Sequence, residues 1–179
     1  MDYRPSKPHG QAIARDRHFT LLADNDGVGF VHCDDGVLVV PLDDGGNVLL
    51  ALERSVAFDR EVLVLAGGTV EPGEPLQQTA NRELQEELGW HANQLVFLGE
   101  LHPFRYLTSR QFVFLARELT PSKRPGDEQH PIGTRTVPLA SFTSLCTDGE
   151  LHDAPTIAAL HLTQAFILVR FRRSHAAGG

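Results

Sequence analysis

The chain has 179 residues, of which 41% are hydrophobic, and this length and composition suit a single domain with a real core. The formal net charge of −7 argues against nucleic acid as the main partner. No run of about 18 apolar residues is present, so no membrane span is expected. Cys33 and Cys146 lie far apart in the sequence, which predicts a reducing compartment and no disulfide framework, and the cytoplasm is the simplest location.

The N-terminal part of the chain gives weak signals of structure. Residues 1–12 are polar and contain two prolines and a glycine, which is typical of a mobile arm. Residues 19–22 and 28–33 are apolar and flank the turn sequence at 24–27. This arrangement predicts a β-hairpin.

The middle of the chain is rich in predicted strands. Residues 37–42 form a continuous apolar run between turns, which predicts a buried strand. Residues 48–54 follow a glycine-containing reversal and are predicted to return as its hairpin partner. Further strands are predicted at 61–65, 94–101, 111–117 and 135–139, with loops at 102–109 and 120–133.

Two longer helices are predicted. The first lies between Pro75, which suits the first helical position, and Gly89, which suits the left-handed residue just past a helix end. The second covers about 154–172 and is preceded by a short helix at 141–146. Strands interrupted by one central helix and one late helix predict a mixed sheet covered by helices, of class α+β or α/β.

The first helix carries three carboxylates on one face. Glu83, Glu86 and Glu87 have the spacing i, i+3, i+4, so they repel one another in an isolated helix. Glu86 and Glu87 also lie at the negative end of the helix dipole, where cations are preferred. A bound cation would offset both costs, and hard oxygen ligands suit Mg2+ or Mn2+. The alternative is a solvated acidic face, which three glutamates at this spacing form more often than a metal site.

The residues around these glutamates have a fixed spacing. The pattern is Gly68, five residues, Glu74, seven residues, Arg82, Glu83 and Leu84, one residue, Glu86 and Glu87, one residue, then Gly89 and Trp90. This pattern resembles the complete signature box of the Nudix hydrolases. The resemblance implies an α/β/α sandwich with a central mixed β-sheet flanked by helices. It also implies hydrolysis of nucleoside diphosphates linked to another group, with the help of divalent metal ions.

The resemblance assigns roles to individual residues. Glu83, Glu86 and Glu87 match the family's metal ligands, and the backbone carbonyl of Gly67 matches a further ligand position. Glu74 and Arg82 match a structural pair that orients the helix, while Gly68 and Gly89 complete the box. Asp127 and Glu128 lie where related chains often place an acidic residue on a loop, so Glu128 is a candidate general base. The alternative is a solvated pair of loop residues.

Similarity from about residue 37 to residue 166 is greatest to the branch that cleaves ADP-ribose and related ADP compounds. The branch implies attack of water on a phosphorus of ADP-ribose, NADH or a diadenosine polyphosphate, with AMP and a phosphorylated product released. Val64 and Ala66 depart from the branch's usual glutamate and proline, and residues 104–110 lack an acidic residue, so the substrate stays open. Alternatives are another nucleoside diphosphate sugar such as GDP-mannose, or a catalytically silent nucleotide-binding regulator. An RNA-processing hydrolase is disfavoured by the acidic balance.

Other candidate substrate contacts come from side-chain chemistry. Arg54 and Arg105 could bind phosphate, and Tyr106 could stack on a base. A surface position for the arginines and loop packing for the tyrosine are the alternatives.

The domain organisation follows from the same resemblance. Residues 1–35 are expected to form an arm or hairpin, which in this branch often crosses to a partner subunit, and a homodimer is expected. Residues 36–173 are expected to form the hydrolase domain, and residues 174–179 a disordered tail.

Overall fold

The structure is a computed structural model that describes residues 3–5, 7, 9–126 and 132–176. Its strands are β1 (Gln11–Arg15), β2 (Thr20–Ala23), β3 (Gly29–His32), β4 (Gly36–Pro41), β5 (Asn47–Ser55), β6 (Arg60–Val64), β7 (Ala66–Thr69), β8 (Trp90–Leu101), β9 (Gln111–Pro121) and β10 (Gly133–Pro138). Its helices are α1 (Leu76–Glu83), a π-helical turn (Leu84–Leu88), a 3-10 turn (Leu139–Ser141), α2 (Phe142–Thr147) and α3 (Ala154–Ala176).

The central sheet has the strand order β7-β4-β9-β8. Strands β4 and β9 are parallel, whereas β7 and β8 pair antiparallel with their neighbours, so the sheet is mixed. Alternate residues of β4 face opposite sides: Val39 packs against α1, and Val40 packs in the cluster that contains Leu160 of α3. The sheet is therefore covered by a helix on each face, which confirms the predicted α/β/α sandwich.

The predicted hairpin between residues 37–42 and 48–54 is wrong. Strand β4 pairs with β7 and β9, whereas β5 pairs with β6 and β10 in a second, antiparallel sheet. A single bridge between Leu42 and Val48 is the only pairing recorded between these two runs among the described residues. The continuous apolar run of β4 suits a strand buried on both faces, and here its partners come from distant parts of the chain.

Two strands were not predicted, for different reasons. Strand β1 pairs with β2 through a bulge, but its side chains are all exposed, so it shows no apolar alternation. The predicted N-terminal arm therefore contains a strand. The predicted hairpin of β2 and β3 is confirmed. Strand β7 contains Gly67 and Gly68, and glycine is depleted in strands.

The ends of the two long helices differ from the prediction. Pro75 has extended backbone angles and precedes the first helical residue, Leu76, instead of occupying the first position. Helix α3 continues to Ala176, past the predicted end at Arg172 and into the predicted tail, of which residues 177–179 lie outside the described residues. Among the described residues, no helix has the length and apolarity needed to span a membrane.

Candidate active site

Helix α1 is placed by one apolar stripe. Leu76, Ala80, Leu84 and Leu88 recur every four residues and are all buried against the central sheet. After Glu83 the helix widens into the π-helical turn, in which the N–H of Gly89 bonds to the carbonyl of Leu84. Gly89 then ends the helix with φ of 76°, the left-handed conformation predicted for it.

The π-helical turn changes the arrangement of the three glutamates. Glu83 is the last residue of α1, whereas Glu86 and Glu87 belong to the wider turn. The regular spacing on one α-helical face, predicted from the sequence, is therefore only approximate. Single π-turns within helices occur frequently at functional sites, which makes this segment a candidate on structural grounds as well.

Arg82 is bound by its neighbours on several sides. Its Nε and Nη2 atoms donate to the two carboxylate oxygens of Glu74 at 3.1 and 3.0 Å, and Nη2 also donates to the Thr69 carbonyl at 3.0 Å. Its Nη1 atom donates to Glu83 at 2.6 Å and to Glu86 at 3.3 Å. The guanidinium thus joins the loop before α1 to two of the three helix carboxylates.

The charges of this pair stabilise each other. Burial alone would raise the pKa of Glu74, but hydrogen bonds from Arg82 and Thr79 outweigh burial and lower that pKa below its usual value. Hydrogen bonds to Glu74, together with the charge of Glu83, raise the pKa of Arg82 despite its own burial. Both groups therefore stay charged at neutral pH, and a bidentate pair of this kind fixes orientation as well as distance.

The carboxylates of Glu83 and Glu87 lie against two adjacent glycines of β7, Gly68 and Gly67 respectively. Each of these glutamates is 7% exposed. The N–H of Gly67 donates to Glu87 Oε2 at 3.2 Å, and a Cβ atom added to Gly68 would lie 2.5 Å from Cδ of Glu83. Only a residue without a side chain leaves Glu83 room to lie this close to the strand.

The direction of the Gly67 N–H bears on where the carbonyl of the same residue lies. Among the strands that the structure describes, β7 is an edge strand paired with β4, and Gly67 directs its N–H toward Glu87. In an antiparallel strand the N–H and C=O of one residue point to the same edge. We therefore expect the Gly67 carbonyl to lie on the side of the glutamates.

Gly68→Ala tests this close approach. We expect activity to fall by about tenfold or more, because the added methyl group displaces the Glu83 carboxylate and small displacements of this kind are costly. The atoms in conflict are at the end of a flexible side chain, so the loss of stability should be about 1 kcal/mol, at the low end for overpacking. Turnover assays and thermal unfolding measure the two effects.

The control for this variant is Gly29→Ala, since a Cβ atom at Gly29 would meet its nearest neighbour, the Leu22 carbonyl, at 3.9 Å. Equal losses of activity in the two variants would contradict the close approach of Glu83 to Gly68 as the cause.

The donor set suits a divalent metal ion, although the side chains are arranged around Arg82. Within the described residues, no three His, Cys, Asp or Glu side chains form a group that could hold a metal ion. Two of the three helix carboxylates, Glu83 and Glu86, are instead paired with Arg82. Three carboxylates and the Gly67 carbonyl are nevertheless hard oxygen donors of the kind that Mg2+ prefers, so the donor chemistry fits.

A cleft of about 320 Å³ lies beside Gly67. Its lining includes Glu53 of β5, Asp153 before α3 and, from the loop 102–110 and the start of β9, Leu107, Ser109 and Gln111. The loop is held in place by β3, because Val31 N–H donates to the Tyr106 carbonyl at 2.8 Å and Thr108 N–H donates to the Val31 carbonyl at 3.0 Å. We take this cleft as the candidate substrate site, because Gly67 lines it and the Gly67 N–H binds the Glu87 carboxylate.

The predicted substrate contacts are more scattered. Arg54 forms an exposed ion pair with Asp59 in the turn after β5. Arg105 lies over the ring of Tyr106, with Cζ 4.7 Å from the ring centroid, on the exposed side of the loop. Arg54 lies on β5, whereas Arg105 and Tyr106 lie in the loop between β8 and β9. Glu128 lies outside the described residues, as does Asp127, so the general base stays a prediction.

A buried ion pair near the N-terminus was not predicted from the sequence. The side chain of Asp35 is 0% exposed and accepts hydrogen bonds from the backbone N–H, Nε and Nη2 of Arg110 at 2.9, 3.3 and 2.7 Å. Tyr3 donates to the same carboxylate at 3.2 Å, and burial together with the charge of Asp35 raises the pKa of Tyr3 to about 12. Arg110 also donates to the Arg4 carbonyl, so the pair ties the N-terminal segment to the central sheet.

A larger cleft, of about 510 Å³, runs along residues 69–77 and the N-terminal residues Tyr3 and Pro5. It contains Glu74, whose carboxylate is engaged by Arg82 and Thr79. We place the substrate in the smaller cleft instead, because the Glu74 carboxylate of the larger cleft already supports α1 through Arg82.

Comparison with known proteins places this site in a family. The family model described as the NUDIX domain matches residues 34–160. Over 175 residues the chain is 31% identical to the ADP compounds hydrolase NudE of Escherichia coli K12, covering 92% of this chain and 94% of the relative. It is 30% identical over 136 residues to the ADP-ribose pyrophosphatase of Bacillus subtilis 168, covering 72% and 71% of the two chains.

The same similarity is seen among solved structures. A crystal structure of an ADP compounds hydrolase matches with a TM-score of 0.76 at 30% identity, covering 94% of this chain and 96% of that chain. The family match includes the whole segment from Gly67 to Gly89 that carries the converging glutamates, and the structural match extends over nearly the full length. The chain therefore belongs to the Nudix family of hydrolases.

Proposed function

We propose that the protein is a divalent-metal-dependent pyrophosphatase that hydrolyses the diphosphate of an ADP-linked compound to AMP and a phosphorylated product. The observation that carries this proposal is the convergence of two buried glutamates, Glu83 and Glu87, on Gly67 and Gly68 at the edge of a cleft. Two relatives that cover most of the chain are named for ADP compounds and ADP-ribose, which supports the choice of an ADP-linked substrate.

Mg2+ is the proposed metal, and Mn2+ is its closest substitute. Glu83, Glu86, Glu87 and the Gly67 carbonyl would hold it, because together they offer hard oxygen ligands beside the cleft. When bound, such a metal neutralises diphosphate charge, polarises a phosphoryl oxygen and lowers the pKa of water. Arg82 and Glu74 act by holding the helix, because Arg82 joins Glu74 in the loop before α1 to Glu83 and Glu86.

None of the described residues that line the cleft is a lysine or an arginine that could balance an anionic substrate. With a formal net charge of −7, attraction of a diphosphate depends on the metal and on individual arginines. Arg105 with Tyr106 on the loop 102–110 offers one guanidinium and one ring close together, and we propose that they contact the nucleotide. Arg54 is the weaker candidate because it is already paired with Asp59. Nucleic acid is not the proposed substrate.

The substrate is tested by a turnover screen with Mg2+. The panel contains ADP-ribose, NADH, a diadenosine polyphosphate and GDP-mannose, with products separated by chromatography. We expect AMP from at least one of the three adenine compounds and a kcat/KM for it at least tenfold above that for GDP-mannose. Preferred hydrolysis of GDP-mannose would move the assignment to another nucleoside diphosphate sugar. No hydrolysis of any compound would favour the silent nucleotide-binding regulator, although all three helix glutamates are present.

We also propose a homodimer formed through the N-terminal sheet of β1, β2 and β3. Strand β1 is an edge strand with exposed side chains, and edges of this kind tend to pair with another chain. Ile13, Phe19, Leu21 and Val28 add exposed apolar surface to the same sheet. Light scattering should give twice the chain mass for the wild type and the monomer mass for Ile13→Asp, and a monomeric wild type would contradict the proposal.

The location is proposed from the two cysteines. Cys33 and Cys146 are both free, which is compatible with a reducing compartment, and we place the protein in the cytoplasm.

A further inference from the structure

The chain leaving β9 packs against the end of the π-helical turn. Ser122 N–H donates to the Gly89 carbonyl at 2.8 Å, and the side chain of Gln85 donates to Ser122 Oγ at 2.6 Å. Arg124 N–H donates to the Gln85 carbonyl at 3.2 Å. Residues 122–124 are therefore held against the turn by both backbone and side-chain hydrogen bonds.

Lys123 reaches the carbonyls of two of the glutamates from within this segment. Its Nζ atom donates to the carbonyl of Glu86 and, at 3.3 Å, to the carbonyl of Glu87. Its aliphatic stem lies over Gly89, where an added Cβ atom would be 3.4 Å from Lys123 Cδ. The stem and the ammonium group thus span the whole C-terminal end of the turn.

This contact supplies hydrogen-bond donors to the last carbonyls of the helix. The last carbonyls of a helix have no partners within the helix, and a lysine can satisfy them while interacting favourably with the dipole. Here residues 122–124 supply donors to the carbonyls of Gln85, Glu86 and Glu87. The positive charge also lies next to a turn that carries two glutamates at its negative end, where their own charges are unfavourable.

We propose that Lys123 is a positioning residue of the active site, which fixes the backbone from which the Glu86 and Glu87 side chains project. The carbonyls that it binds belong to the same two residues whose carboxylates are proposed to hold the metal. Loss of the ammonium group would free the turn, separate the Glu87 carboxylate from the Gly67 N–H and move the Glu86 carboxylate relative to Arg82. The consequence for catalysis rests on the proposed function, whereas the consequence for the turn does not.

Three variants test this inference. Lys123→Met keeps the stem over Gly89 and removes the charge, Lys123→Arg restores a cation with several donors, and Arg117→Met removes an exposed cation from the preceding strand β9 as the control. Each full-length protein is examined by amide hydrogen exchange of peptides covering 84–90, by Mn2+ titration and by steady-state kinetics with the best substrate. Exchange and Mn2+ binding need no substrate.

For Lys123→Met we expect exchange in 84–90 to rise about tenfold, as for the loss of one hydrogen bond to a charged group. We expect Mn2+ affinity and kcat to fall by about 10 to 100-fold, the range seen when a residue that supports metal ligands is removed. The KM for substrate should stay within about twofold, because Lys123 is not among the described residues that line the cleft. Lys123→Arg should recover most of each loss, and Arg117→Met should match the wild type.

The outcomes separate this inference from the proposed function. The inference is overturned if Lys123→Met changes neither the exchange in 84–90 nor the Mn2+ affinity. It is also overturned if exchange becomes faster while Mn2+ affinity and kcat stay unchanged, because Lys123 would then be a purely structural cap. If the wild type hydrolyses none of the compounds, the proposed function fails while exchange and Mn2+ binding still decide the role of Lys123. If Lys123→Met does not fold, the inference is decided by Lys123→Arg. Mn2+ affinity and kcat near the wild-type values in this variant support the inference. A tenfold loss of either value in a folded Lys123→Arg overturns it.

Discussion

Glu87→Gln should lower kcat/KM by roughly three orders of magnitude, since a bound metal contributes several kcal/mol of transition-state stabilisation and each 1.36 kcal/mol is about tenfold in rate. Glu87 is largely buried and accepts a hydrogen bond from the Gly67 N–H. Glutamine keeps an oxygen that can accept this bond, so the position of the side chain should change little. The variant removes the negative charge, which is the property that a metal ligand needs.

The measurement combines turnover with metal binding and stability. Glu61→Gln is the matched control, because Glu61 is an exposed glutamate on β6, outside the segment of α1 and the π-helical turn. We expect Glu87→Gln to bind Mn2+ more weakly than either the wild type or the control, with thermal unfolding within a few degrees of both. Wild-type turnover by Glu87→Gln in a metal-saturated assay would show that Glu87 is not a metal ligand.

Arg110→Met should destabilise the fold by about 3 to 5 kcal/mol, the usual cost of removing one partner of a buried ion pair. The Asp35 carboxylate is fully buried and receives three of its hydrogen bonds from Arg110. Methionine removes two of these bonds and the compensating charge. It also removes the guanidinium that lies 5.2 Å from the ring centroid of Phe112. Since whole domains are stable by only about 5 to 15 kcal/mol, the loss is a large fraction of the total.

Urea unfolding followed by circular dichroism measures this loss, and the matched control is Arg105→Met, whose guanidinium lies on an exposed loop. The double variant Asp35→Asn with Arg110→Met should be more stable than Arg110→Met alone, because the uncompensated charge is gone. If Arg110→Met is no less stable than Arg105→Met, the buried pair does not hold the N-terminal segment to the sheet.

The fold was predictable where local patterns decide it. The apolar run of β4, the glycine-rich turns and the left-handed Gly89 all have short-range causes, and the structure contains each of them. The pairing of β4 was not predictable, because its neighbours β7 and β9 come from distant positions. Proximity along the chain favoured a hairpin with β5. The apolar residues of β4 indicate that both of its faces are buried, but they do not identify the strands beside it.

The residues of the candidate site were predictable from the sequence, but the shape of the helix that carries them was not. Glu83, Glu86 and Glu87 were indicated by their spacing, and Gly68, Glu74 and Arg82 by their fixed distances from the glutamates. The π-helical turn leaves no mark in that spacing, although it changes the directions of two glutamates relative to the third.

The supporting contacts of the site join distant parts of the chain. Lys123 meets Glu86 across 37 positions, and Arg110 meets Asp35 across 75. A single lysine or aspartate in a loop has no local pattern that reveals such a partner. An aspartate next to a predicted buried strand was the one available signal, since a buried carboxylate needs a cation.

The most direct test of the central claim is the release of AMP from ADP-ribose by the purified wild-type protein, with Mg2+ and with an excess of chelator. The account predicts AMP and ribose phosphate in equal amounts with Mg2+, and at least a hundredfold slower release with the chelator, as expected for the loss of several kcal/mol of stabilisation. AMP release at the same rate under both conditions would contradict the assignment of Glu83, Glu86 and Glu87 as metal ligands.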